Sequence, residues 1–120
     1  MPAKNQHLNK AQHDEDFAAS LDVDTTPYLD WIITGLFYSA LHYVEAYFAT
    51  LRVHSPDHRT RDSSICRDHK LRAIFADFSE LKNFSINARY YDCRFEPRDV
   101  SRNLRPRLER VKTHILRLLE

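Results

Sequence analysis

Glycine is almost missing from this chain, with one residue in 120. A strand-rich fold of that length needs several glycines at tight turns and bulges, so the scarcity points to helices. Cysteine is scarce as well. Cys66 and Cys93 make no disulfide framework, and "MPAKNQHLNKAQHDEDF" contains no apolar leader run. Two free thiols in a cytoplasmic protein are the expectation. Long uncharged apolar runs are lacking too. Trp31 to Leu51 has about the 20 residues a bilayer span needs, but His42 and Glu45 near its middle would be costly in lipid. No membrane partner is expected.

What the chain does contain fits one soluble domain. Hydrophobic residues make up 42% and charged residues 29%, an ordinary globular balance, and no repeat or linker divides the sequence. The net charge of +1 hides an asymmetry. Asp14, Glu15, Asp16, Asp22, Asp24 and Asp30 fall in a segment without Lys or Arg. Seven Lys or Arg then lie between Arg98 and Arg117, against Asp99 and Glu109. Such a basic end either binds phosphate or forms a solvated face packed beside the acidic end.

Periodicity gives an all-α bundle of four to five helices over residues 1–120. A first helix is expected over about Leu8 to Leu21. In "DTTPYLDW", Thr26 can cap a second helix and Pro27 suits its first position. That helix should run to about Arg52, before "HSPDH". Residues 54–66 read as a polar connection. Leu71, Ile74, Phe75 and Phe78 open either one helix to about Tyr90 or two short ones broken near Ser79. The final helical region opens near Pro97, with a kink or fresh start at Pro106.

The second helix poses the functional question. Steps of three and four residues put Tyr38, His42, Glu45, Ala49 and Arg52 on a single face. A buried polar stripe must be satisfied somewhere, as a structural seam, a subunit interface or a site. Histidine beside arginine at a helix end is a set that handles phosphate chemistry. A zinc reading from His54, His58, Cys66 and His69 fits no standard ligand spacing, and no metal or cofactor is expected.

"YLDWIITGLFYSALHYVEAYFA", the His-rich connection, "SINARYYDCRF" and the last amphipathic helix together resemble the HEPN superfamily. The resemblance implies an up-and-down helical bundle that dimerises, with an active cleft where two copies meet. It also implies an RNA-directed function. Many members are metal-independent endoribonucleases of toxin–antitoxin, CRISPR-linked and antiphage systems, leaving 2′,3′-cyclic phosphate ends. Others are non-catalytic modules that bind nucleotides, RNA, an antitoxin or an effector. The family signature is Arg, four to six residues, then His. Arg52 with His58 fits it, and so does Arg107 with His114. On that reading His58 moves a proton, Arg52 stabilises phosphate charge, and His42 and Glu45 tune the pair. Arg59, Arg61, Arg107, Arg110 and His114 would contact RNA.

Overall fold

The computed structural model describes residues 3–54 and 56–120, and it is an all-α bundle. Among the described residues five α-helices follow one another: α1 (Lys4–Ala19), α2 (Leu29–Thr50), α3 (His58–Arg67), α4 (Arg72–Tyr90) and α5 (Arg105–Leu118). A 3-10 turn (His69–Leu71) leads into α4, and a π-helical turn (Asp99–Leu104) leads into α5. Helix α2 is the central element and packs against α1, α4 and α5.

Its sequence explains that position. From Ile32 to Phe48 nearly every residue is buried, which a helix tolerates only when neighbours cover it on all sides. Phe37, Val44, Phe78, Leu81, Val111 and Ile115 meet there. The single glycine lies on the α1 side. A Cβ on Gly35 would come within 3.2 Å of the Phe17 ring, so its absence lets α1 and α2 close together. Ser39 exploits the approach by donating to the Ala11 carbonyl at 2.8 Å.

The start of α2 and the presence of α3 differ from the sequence expectation, each for a local reason. Helix α2 starts at Leu29 and not at Pro27, because Thr26 Oγ1 accepts from the Tyr28 amide and forms its own small turn. The segment read as a polar connection contains α3, nucleated by Asp57, whose carboxylate accepts from the Thr60 amide at 2.7 Å. Helix α4 runs unbroken through Ser79 to Tyr90, the first of the two alternatives the sequence leaves open. At Pro106 the expected fresh start takes the form of the wide π turn just upstream. That turn relieves the clash between the proline ring and the carbonyl four residues back.

The basic C-terminal region packs onto acids. Asp77, buried on α4, accepts from Arg110 at 2.9 and 3.1 Å and from Arg107 at 3.1 Å. Lys112 reaches Glu15 on α1 at 3.2 Å. Among the described residues no helix is long and apolar enough to cross a membrane.

Candidate functional site

The polar stripe of α2 is satisfied residue by residue, and its members part company. Glu45 is 4% exposed. Its Oε1 accepts from Arg61 Nε on α3 at 2.5 Å. Arg61 is itself buried and donates from Nη1 to His58 Nδ1 at 3.0 Å. Arginine has no lone pair to offer, so His58 must receive at Nδ1 and carry its proton on Nε2. Burial first, then Arg61, Lys82 and Arg89, push the His58 pKa below its ordinary value. His58 is therefore a neutral imidazole near pH 7, aimed by a buried carboxylate through an arginine.

His42 turns to a different partner. Its Nδ1 lies 3.1 Å from Nδ1 of His7 on α1, so one imidazole donates and the other accepts. Burial lowers both pKa values, opposed at His7 by the charge of Glu45. Tyr38 accepts from Arg89 on α4 at 2.8 Å. Arg52 leaves the stripe altogether. It sits exposed just past α2 with φ 58°, and the Val53 amide donates back to the Phe48 carbonyl at 2.9 Å. This is a Schellman-type end with arginine where glycine is favoured.

Around His58 the fold opens a groove of about 540 Å³ between α3 and α4. Arg59, Lys82, Arg89 and Tyr90 line it with His58. Lys82 pairs with Asp62 at its edge. Tyr90 is 70% exposed, and the Arg89 guanidinium lies 5.1 Å from its ring centre. Phe37 backs His58 with ring centres 5.8 Å apart.

Of the residues singled out in the sequence, the structure brings Glu45, Arg61, His58 and Arg59 together. It sets His42 beside His7 and leaves Arg52 outside the groove lining. Arg61 points inward to Glu45, so its guanidinium is engaged within the bundle and not offered to solvent. Arg107 and Arg110 hold Asp77, and His114 donates to the Lys70 carbonyl at 2.6 Å. Sequence reasoning missed Lys82 and the groove role of Arg89. Their signal lay in the spacing of Lys82, Ile86 and Arg89 along one edge of α4, legible only once α3 is known to be a helix.

No family model, curated protein or solved structure matches this chain.

Proposed function

We propose that this chain is an RNA-directed, HEPN-like helical module whose groove beside His58 holds a phosphodiester and a neighbouring base. One observation carries the reading: His58, Arg59, Lys82 and Arg89 line a single groove with the exposed ring of Tyr90. Arginine forks suit phosphate oxygens, and a tyrosine face stacks an unpaired base. His58 adds an Nε2–H donor fixed by the Glu45–Arg61 pair. The cationic role expected of Arg52 passes to Arg59 and Arg89. The lining residues named here all come from one copy of the chain.

Cleavage is a second reading, favoured by the neutral state of His58 that a general base requires. In it His58 releases Arg61 and takes the ribose 2′-OH proton at Nδ1. The 2′-oxygen then bonds phosphorus as the 5′-oxygen leaves and takes a proton from solvent. A 2′,3′-cyclic phosphate remains, and Arg89 steadies the phosphate charge.

The test is fluorescence anisotropy of a single-stranded RNA in EDTA across a salt series, followed by end-group analysis. Arg59→Ala and Tyr90→Ser, both at exposed positions, should each weaken binding several-fold, with a shallower salt slope for Arg59→Ala. Binding equal to wild type in both variants would overturn the proposal. Cyclic-phosphate ends that vanish in His58→Ala would select the catalytic reading.

A further inference from the structure

A second groove of about 580 Å³ opens at the C-terminal end of α2, away from the lining of the His58 groove. Phe48, Leu51 and Val53 form its apolar side, with Leu51 51% and Val53 37% exposed. Arg67 and Lys70 also line it, and Arg52, exposed and outside the lining, falls between Leu51 and Val53 in the chain. Among the described residues none of these three cations has a carboxylate within ion-pair distance. The groove's own acid, Asp68, is engaged by the Tyr47 hydroxyl at 2.8 Å and by the Lys70 amide. Arg52 also holds a left-handed backbone, which glycine would adopt without steric cost. A cation thus occupies a strained backbone position adjacent in the chain to two exposed aliphatic residues.

The complementary surface lies at the other end of the same helix. Asp22 and Asp24 are exposed in the α1–α2 turn, without Lys or Arg partners among the described residues. Tyr28 and Trp31 stand exposed just after them. Helix α2 has 22 residues, so the two ends are about 33 Å apart and cannot meet within one molecule.

We propose that the basic, apolar groove takes the acidic, aromatic turn of a second copy of this chain, joining copies head to tail. Apolar groups on both surfaces supply burial, and the unpaired charges set orientation and register. Such a contact is heterologous. A dimer joined in this way keeps one free turn on one copy and one free groove on the other, so association continues beyond it unless the rotation closes a ring. The contact is independent of the reading of the His58 groove.

Sedimentation velocity over a concentration series tests it. Wild type should associate progressively and come apart when salt rises from about 0.05 to about 0.5 M. Val53→Asp spoils the groove, and Asp24→Lys with Tyr28→Lys spoils the turn. Each variant alone should be monomeric. Their equimolar mixture should form a one-to-one dimer and nothing larger, because one intact groove then meets one intact turn. Arg52→Gly should fold at least as stably as wild type, yet associate several-fold more weakly. A wild type that stays monomeric throughout, or a mixture that remains monomeric, would overturn the proposal.

Discussion

Glu45 and Arg61, sixteen positions apart on α2 and α3, face each other inside the bundle at 2.5 Å. The ion pair resolves the burial of a carboxylate in the most apolar helix of the chain. It also fastens a short, mostly polar helix to the core and sets the orientation of His58.

Breaking that pair from either side leaves a buried charge behind. Glu45→Gln and Arg61→Ala should each cost about 3–5 kcal/mol of unfolding free energy in urea titrations. The double variant should cost clearly less than the sum, because the two residues share one interaction. Additive losses would separate them energetically.

Acid should loosen the bundle in a defined window. His7, His42 and His58 all have pKa values below the ordinary 6.5, so the unfolded chain binds more protons than the folded one. Stability is then complete above 6.5 and falls as pH drops below it toward the depressed values. Melting temperatures measured between about pH 5 and 8 should decline on the acid side, and His42→Asn should flatten the decline.

The α-helical reading was available from composition and periodicity alone. One glycine, the unbroken apolar run of α2 and the spacing of Leu104, Leu108, Val111 and Ile115 all point the same way, and each lies where expected. Helix α3 was not visible, because it buries only Arg61 and Ile65 and so carries no apolar stripe. Its start signal, Asp57 before Thr60, was masked by the proline at position 56. Read as loop, this segment makes Arg61 a solvent-facing cation and Arg52 the natural neighbour of His58. The stripe from Tyr38 to Glu45 was legible as a face, but its partners His7, Arg61 and Arg89 lie on three other helices. No local pattern announces such pairings.

Asp57 offers a direct test of how α3 is held. Asp57→Ala removes the side-chain acceptor for the Thr60 amide and should lower helical ellipticity at 222 nm. It should also raise amide exchange over residues 58–62, with the rest of the bundle unchanged.

Arg52 gives a prediction of opposite sign. Replacing a left-handed arginine by glycine removes steric strain, partly offset by added freedom in the unfolded chain. Arg52→Gly should therefore leave stability unchanged or raise it by up to about 1 kcal/mol, read from urea midpoints. Strong destabilisation would show that the arginine side chain holds the fold.

The most direct measurement is the nitrogen-resolved NMR spectrum of the His58 ring, titrated from about pH 5 to 8 without and with single-stranded RNA. The ring should show the Nε2–H tautomer near neutral pH, a midpoint below 6.5, and a rise in that midpoint once phosphate occupies the groove. An Nδ1–H tautomer, or a ring whose spectrum ignores saturating RNA, would contradict it.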